Sequence, residues 1–304
     1  MKFEAIRYLE RKTGEYKIEK VPGESFLKFL YYNPFGKLAL EALVKRKFLS
    51  VWYGKKMDTK KSREKILPFI KSLEIPIEEA EKSWDEFTSF NDFFYRKLKK
   101  GARTWDMRED VLVSPADGKV LAYENIDSFA SFFVKGQSFS LEELFQSKEM
   151  AEKYAGGSFV IVRLAPVDYH RYHFPTDAWV GVSHRIQGYY YSVSTHAIRR
   201  NLRIFLENQR EYTILKSKKF GDIAYFEIGA TMVGGIHQTY AENSMVSKGE
   251  EKGYFEFGGS TCLLLFEKGK VQLDEDLLEH TKKGIETKVY VGEKIGYAKQ
   301  GGVF

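Results

Sequence analysis

The 304-residue chain is predicted to be an α+β protein, in which a helical, basic N-terminal region precedes a mostly β, barrel-like domain. Two changes in pattern predict this. Apolar residues follow helical spacing over residues 24–100, whereas short apolar runs punctuated by glycine begin near residue 105. A hydrophobic fraction of 43% supplies enough apolar surface for a large core. We therefore divide the chain into residues 1–104 and 105–304.

The N-terminal region begins with a predicted β-hairpin over residues 5–20. Its two alternating runs flank a turn that contains Gly14. Ser25 is a residue type that caps helices, and Asn33-Pro34 separates the first predicted helix from the second. The second helix carries apolar residues as far as Val44. Further helices are predicted at 60–73, 76–84 and 89–99.

The C-terminal part reads as strands joined by glycine-containing turns. Two helical stretches interrupt it, near 140–153 and 195–202. The predicted strands centre on residues 111–113, 120–122, 159–162, 224–228, 232–233, 262–266 and 288–291.

Positive charge is concentrated in the helical region. The chain has a formal net charge of +6, and residues 37–65 hold ten basic side chains against three acidic ones. Basic residues interleaved with aromatic ones on amphipathic helices, as over residues 26–56, are typical of segments that bind an anionic membrane surface. The alternative is a core-packing helix with a solvated charged face. No nucleic-acid-binding motif accompanies the charge, so we expect no nucleic acid partner.

Cysteine content and hydropathy indicate where the protein works. Cys262 is the single cysteine, which excludes an internal disulfide and suits a reducing compartment. The N-terminal sequence is too charged for a signal peptide, and no apolar run is long enough for a spanning helix. We expect a protein of the cytoplasm or of a membrane surface.

The most informative motif is Gly258-Gly259-Ser260, which stands directly before a predicted buried strand. Glycine permits backbone conformations closed to other residues and lets a group approach its carbonyl closely. A serine hydroxyl in this position can attack the carbonyl of Gly259, which moves the acyl group from nitrogen to oxygen and leads to chain cleavage. Such a sequence is also common in ordinary turns.

An acid and two histidines are the other chemically capable residues. Asp117 lies in the turn-forming sequence Ser114–Gly118, and His170 and His173 are three residues apart. With Ser260 they have the residue types of a nucleophilic triad, although no Gly-x-Ser-x-Gly motif of an α/β-hydrolase is present. The histidine pair also suits metal ligation, but no third ligand follows from the spacing.

Several segments together resemble the bacterial phosphatidylserine decarboxylase proenzyme family. The resemblance covers most of residues 85–304. Many family members have leucine where this chain has Gly258. The segments that carry the resemblance are SFNDFFYRKLK (89–99), SPADGKV (114–120), VKGQSFSLEELF (134–145), DYHRYHFP (168–175), ENQR (207–210) and KGEEKGYFEFGGST (248–261).

The resemblance implies that the chain cuts itself between Gly259 and Ser260. Ser260 forms an ester with the Gly259 carbonyl, β-elimination leaves dehydroalanine, and hydrolysis gives ammonia and a pyruvoyl group on residues 260–304. By the same resemblance, His173 is the base of self-cleavage, Asp117 is its carboxylate partner, and His170 returns a proton to the substrate Cα. The pyruvoyl group replaces pyridoxal phosphate, and no metal is implied.

The implied activity converts phosphatidylserine to phosphatidylethanolamine and CO2 through a Schiff base. The expected enzyme is a homodimer of cleaved protomers, bound peripherally to anionic lipid on the cytoplasmic face of the cell membrane. Three alternatives remain open at this point. They are a non-catalytic lipid-binding homologue, a pyruvoyl decarboxylase of a soluble amino acid, and a hydrolase that keeps Ser260 as its nucleophile.

Overall fold

The computed structural model describes residues 5–21, 23–41, 47–128, 139–198, 201, 203–230 and 235–299. These residues form a mixed α and β structure, which confirms the predicted class. Its strands are β1 (Arg7–Glu10), β2 (Glu15–Ile18), β3 (Val111–Val113), β4 (Gly118–Tyr123), β5 (Phe159–Leu164), β6 (Arg171–His173), β7 (Ala178–Val180), β8 (His184–Ile186), β9 (Arg210–Ser217), β10 (Gly221–Ile228), β11 (Ile236–Gln238), β12 (Ser244–Val246), β13 (Glu251–Phe255), β14 (Ser260–Phe266), β15 (Val271–Leu273), β16 (Glu286–Val289) and β17 (Lys294–Ala298).

Three of the four longest helices fall in the N-terminal third of the described chain, before residue 101. Short 3-10 helices occur at Lys60–Lys65, Ile77–Glu79 and Ile126–Ser128. The α-helices are α1 (Glu24–Tyr32), α2 (Pro34–Ala39), α3 (Lys47–Met57), α4 (Ile66–Leu73), α5 (Phe90–Phe94), α6 (Leu141–Phe145), α7 (Lys148–Tyr154), α8 (Thr195–Ile198), α9 (Ile204–Glu207) and α10 (Glu275–Lys282).

The largest sheet in the described part of the chain has eleven strands. Its order is β12-β7-β9-β10-β14-β5-β4-β16-β1-β2, with β8 paired to β9. Adjacent strands are antiparallel except β1 and β16, which are parallel. Among the described strands the path ends at β12 and β2, so the sheet is open and resembles a barrel only loosely. Two three-stranded sheets, β11-β13-β6 and β15-β17-β3, lie beside it.

The central strands are buried on both faces, which explains their unbroken apolar sequences. All seven residues of β14 are buried. Leu263 and Leu265 belong to one hydrophobic core, which also contains Phe226. Leu264 faces a second core on the other side of the sheet. The strand that begins at Ser260 is thus held firmly between β5 and β10.

The helical region has an aromatic core of its own, and this core reaches the motif before Ser260. Phe90 and Phe94 are buried in it. The ring of Phe257 meets each of them edge-on at 5.0 Å between centroids. The backbone N–H of Phe257 also donates to Asn91 Oδ1 at 3.1 Å. The segment that contains α5 therefore holds the residue two positions before Gly259.

The predicted helix over 76–84 is wrong beyond the short 3-10 helix at its start, and the one over 89–99 ends at Phe94. Ala80 and Leu98 instead form an antiparallel bridge between the two segments. The carbonyl of Tyr95 accepts a bond from Arg171 Nε at 2.8 Å. Long-range pairing has replaced the helical hydrogen bonds at both places.

Other predicted elements agree with the structure within a few residues. The hairpin is confirmed, and through β1 it joins the large sheet. The predicted strands are confirmed except for 232–233, which lie outside the described residues. The second predicted helix is observed at Pro34–Ala39, and residues 42–46 of its predicted continuation lie outside the described residues. The predicted 195–202 helix appears as α8, and its residues 199, 200 and 202 also lie outside the described residues. No helix in the described ranges is long and apolar enough to cross a membrane.

Candidate active site

Ser260 is the first residue of β14, and none of its surface is exposed. It pairs in register with Leu164 on β5. Gly258, two positions earlier, has a φ of 146°, a backbone conformation that residues with a Cβ rarely adopt. The glycine that replaces the leucine of many family members therefore matches the backbone found here.

His170 contacts Ser260 directly. The distance between Ser260 Oγ and His170 Nδ1 is 3.2 Å, and both residues are fully buried. His170 Nε2 lies 3.0 Å from the carbonyl oxygen of Ala165. Because a carbonyl oxygen only accepts hydrogen bonds, Nε2 carries the ring proton and Nδ1 presents a lone pair to the serine hydroxyl.

The surroundings of His170 keep the imidazole neutral. Its ring stacks on Phe94 with 4.0 Å between centroids and an interplanar angle of 29°. Burial lowers the pKa of His170 to about 3, against a partly compensating attraction from Asp168. A neutral imidazole with a free Nδ1 lone pair is able to accept a proton from the serine hydroxyl.

His173 bonds through both ring nitrogens to groups other than Ser260. Its Nδ1 lies 2.9 Å from the carbonyl of Gly249, and its Nε2 lies 3.2 Å from the hydroxyl of Tyr169. Burial lowers the pKa of His173 as well. In the described structure the histidine bonded to Ser260 is His170, whereas the sequence-based assignment gave the proton of Ser260 to His173.

Asp117 is paired with an arginine. It lies in the turn between β3 and β4, and both carboxylate oxygens accept from Arg103, at 2.6 Å from Nη2 and 3.0 Å from Nε. The backbone N–H of Val291 donates to the same carboxylate at 2.9 Å. Arg103 also binds Glu79 at 2.8 Å. The described structure contains no hydrogen bond from Asp117 to His173, although His173 N donates to the neighbouring Pro115 carbonyl at 2.8 Å.

Sequence reasoning missed several residues around these groups. Arg103 and Phe94 were not singled out, although Phe94 lies in the segment 89–99 that carries the resemblance. Arg96, from the same segment, is buried, and its Nε and Nη1 have no hydrogen-bond partner among the described residues. Its Nη2 reaches the Val167 carbonyl at 3.4 Å. The motif pointed to the segment but not to the contacts, because those partners are about 70 or more residues away.

A cavity of about 230 Å³ opens beside Gly258 and Gly259. One wall is the apolar face of α1, with Phe26, Leu27 and Leu30. The cavity thus places an apolar wall next to the predicted cleavage point. No cluster of three metal-ligating side chains occurs within the described ranges.

Comparisons with known proteins agree on one family. The family model described as phosphatidylserine decarboxylase matches residues 90–297. A phosphatidylserine decarboxylase proenzyme of Fusobacterium nucleatum is 64% identical over 98% of this chain and 100% of its own length. The proenzyme of Clostridium novyi is 50% identical over 96% of this chain and 99% of its own. That of Desulfitobacterium hafniense is 49% identical over 96% and 98%.

Proposed function

The chain belongs to the phosphatidylserine decarboxylase family, and we propose on this basis that it converts phosphatidylserine to phosphatidylethanolamine and CO2 after cutting itself before Ser260. The observation that carries the proposal is the hydrogen-bonded pair of Ser260 and His170, placed directly after Gly258-Gly259. A serine hydroxyl beside a neutral imidazole supports attack on the preceding carbonyl.

The prosthetic group we propose is a pyruvoyl group made from Ser260. The surroundings suit it, because residue 260 is enclosed, anchored by β-pairing to Leu164 and hydrogen-bonded to a proton-accepting side chain, His170. When formed, the group supplies the electron sink that decarboxylation of an amino acid needs and that protein side chains lack.

His170 is proposed to move protons at residue 260. In the decarboxylation step it returns a proton to the substrate Cα, the role implied by the resemblance. Its bond to Ser260 Oγ also makes it a second candidate, beside His173, for the base of self-cleavage. Asp117, which Arg103 holds in the turn before β4, is proposed to support the histidines by its charge, which offsets part of the lowering of both histidine pKa values by burial.

Two substitutions separate these roles. Purified His170→Gln and His173→Gln proteins are analysed by intact mass under denaturing conditions and then assayed with phosphatidylserine. If His173→Gln stays whole while His170→Gln is cut but inactive, the division of roles implied by the resemblance holds. If His170→Gln stays whole and His173→Gln is cut, His170 is the base of self-cleavage and that division is wrong.

Intact mass also tests the proposed function itself. The unmodified protein is expected to give two species. The smaller has a mass of about 5 kDa, which is about 17 Da (one ammonia) below the mass expected for residues 260–304 released by simple hydrolysis. Ser260→Ala is the control and is expected to stay whole. A single full-length species from the unmodified protein, stable on incubation with membranes, argues instead for a lipid-binding homologue or a hydrolase.

A lipid substrate is supported by the exposed apolar surface of the N-terminal helices. Phe35 and Leu38 on α2 are 78% and 69% exposed, and Trp52 on α3 is 57% exposed. Lys55 and Lys56 follow on α3, whereas Lys45 and Arg46 of the predicted docking stretch lie outside the described residues. Aromatic side chains with lysines beside them suit the interface of an anionic membrane. We therefore propose peripheral attachment to the cytoplasmic face of the cell membrane.

Vesicle sedimentation tests this attachment. The double variant Phe35→Ser, Leu38→Ser and the charge reversal Lys55→Glu, Lys56→Glu are each expected to weaken binding to anionic vesicles. Met245→Ser is the matched control, because Met245 is 68% exposed but lies on β12 at one end of the large sheet. Unchanged binding by both test variants refutes the docking surface.

The choice between a lipid and a soluble amino acid rests on the apolar wall that α1 contributes to the cavity beside Gly259. Assays with phosphatidylserine and with free serine distinguish the two. A homodimer of cleaved protomers remains a prediction, and sedimentation equilibrium of the processed protein tests it.

A further inference from the structure

The turn that precedes His170 is closed by two reciprocal hydrogen bonds. The backbone N–H of Asp168 donates to the Ala165 carbonyl at 2.8 Å. In return, the backbone N–H of Ala165 donates to Asp168 Oδ2 at 2.7 Å. The position of the Ala165 carbonyl is thus fixed by the backbone and by the side chain of the same aspartate.

That carbonyl is also the partner of His170 Nε2, at 3.0 Å. It selects the imidazole tautomer, because the opposite tautomer would set a lone pair against the carbonyl oxygen in a fully buried place. The tautomer selected leaves Nδ1 free for the hydroxyl of Ser260. The orientation of the Ala165 carbonyl therefore determines what His170 is able to do at residue 260.

Asp168 is itself held in place by buried lysines. Its side chain is 3% exposed, and Lys288 Nζ donates to Oδ1 at 2.6 Å. Lys119 Nζ lies 3.9 Å from Oδ2. Burial alone raises the pKa of a carboxyl group, but Lys288 and Lys119 hold the pKa of Asp168 well below its usual value. The aspartate is therefore a fixed carboxylate with one oxygen for Lys288 and the other for the Ala165 N–H.

We propose that Asp168 is a positioning residue that sets the tautomer of His170 through the Ala165 carbonyl, and that Lys288 holds Asp168 in the conformation this requires. The proposal builds on the proposed function, in which His170 moves protons at residue 260. Asp168 does not touch the reacting atoms. Its effect passes through two hydrogen bonds of the polypeptide backbone.

The test reads the tautomer directly. Full-length protein with Ser260→Ala, which stays whole, is labelled with ¹⁵N-histidine, and the two ring nitrogens of His170 are observed by long-range ¹H–¹⁵N correlation. With Asp168 present, a single tautomer protonated at Nε2 is expected. Asp168→Ala is expected to give a mixture of tautomers. Asp168→Asn keeps an oxygen for the Ala165 N–H but loses the one that Lys288 holds, and it is expected to restore the single form only in part.

Asp274→Ala is the matched control. Asp274 is also a buried carboxylate, paired with Arg11 and Lys294 at 2.7 Å each, but it makes none of the bonds of the 165–168 turn. Its loss is expected to leave the His170 signals unchanged. A mixture of tautomers in the Asp274→Ala protein would mean that general destabilisation is responsible and would overturn the proposal.

Kinetics of the cleaved enzyme supply the second readout. Asp168→Ala is expected to lower kcat for phosphatidylserine about 10- to 100-fold, with little change in KM, and Asp168→Asn is expected to recover part of the loss. Unaltered His170 signals and unaltered kcat in Asp168→Ala would refute the proposal. The tautomer spectrum does not depend on turnover, so a protein that never decarboxylates lipid would contradict the proposed function and still leave this inference testable.

Discussion

The buried, neutral state of His170 predicts that the protein loses stability as the pH falls below about 6.5, the pKa of an unfolded histidine. In the folded state the pKa of His170 is lowered to about 3 by burial. Between these two values the unfolded chain binds a proton that the folded chain does not. The stability contributed by the neutral imidazole is therefore complete above about pH 6.5 and is lost progressively down to about pH 3.

The size of the effect follows from the two pKa values. At pH 5, protonation of this histidine in the unfolded chain lowers the free energy of unfolding by about 2 kcal/mol. At pH 8 the corresponding loss is close to zero. His170→Gln removes the titrating group. The variant has its own packing cost, but that cost is independent of pH and cancels when pH 8 and pH 5 are compared.

Urea unfolding followed by circular dichroism measures this difference. The experiment uses the Ser260→Ala chain with and without His170→Gln, since cleavage does not intervene in that chain. The fall in unfolding free energy between pH 8 and pH 5 is expected to be about 2 kcal/mol smaller with His170→Gln. Phe145→Leu is the control, because it shortens a buried aromatic side chain whose ring contacts in the described part of the chain are with Tyr154, Tyr212 and Phe226 and not with His170. Equal falls with and without His170 would refute the reasoning.

Three further substitutions test how the fold is held together. Lys252→Met is expected to lower the free energy of unfolding in urea by about 3–5 kcal/mol, because Lys252 and Glu227 form a fully buried ion pair at 2.7 Å. Burial raises the pKa of Glu227 to about 7, so this loss is expected to shrink below that pH. A loss that does not change with pH would contradict the reasoning. Gly157→Ala is expected to lower the free energy of unfolding by about 1–3 kcal/mol, since the new Cβ would overlap the carbonyl oxygen of Phe266. An unchanged melting temperature would mean that the backbone there moves to make room. Leu263→Ala at the centre of β14 is expected to cost about 2–5 kcal/mol of unfolding free energy, and a loss below about 1 kcal/mol would mean that the core closes around the smaller side chain.

Much of the sheet was predictable because its central strands are buried on both faces. The run Cys262–Phe266 is apolar throughout, and no face of it needs to be polar. The segments 76–84 and 89–99 have helical patterns as well, but the bridge between Ala80 and Leu98 depends on residues 18 positions apart in the chain. Local periodicity does not contain that information.

The candidate site was likewise predictable where local motifs determine it and not where long-range contacts do. Ser260, His170, His173 and Asp117 were all found through local motifs. The predicted turn at Asp117 and the predicted strand that follows Gly259 agree with the structure. Which histidine meets the serine was not predictable, since residues 170 and 173 are equally near to Ser260 in sequence. The choice depends on the turn at Ala165 and on Phe94, which place one ring beside β14 and leave the other near Gly249.

The position of the Gly259-Ser260 bond has a consequence for the two polypeptides that cleavage would produce. The segment after the bond contributes β14 between β10 and β5, and β16 between β4 and β1. Its strands are interlaced with those of the longer piece, and neither piece contains a continuous sheet without the other. A nick at this bond therefore leaves a heterodimer that chromatography under native conditions cannot resolve. Mixing the two pieces after separate synthesis would require the longer one to keep two gaps in its own sheet, one for β14 and one for β16.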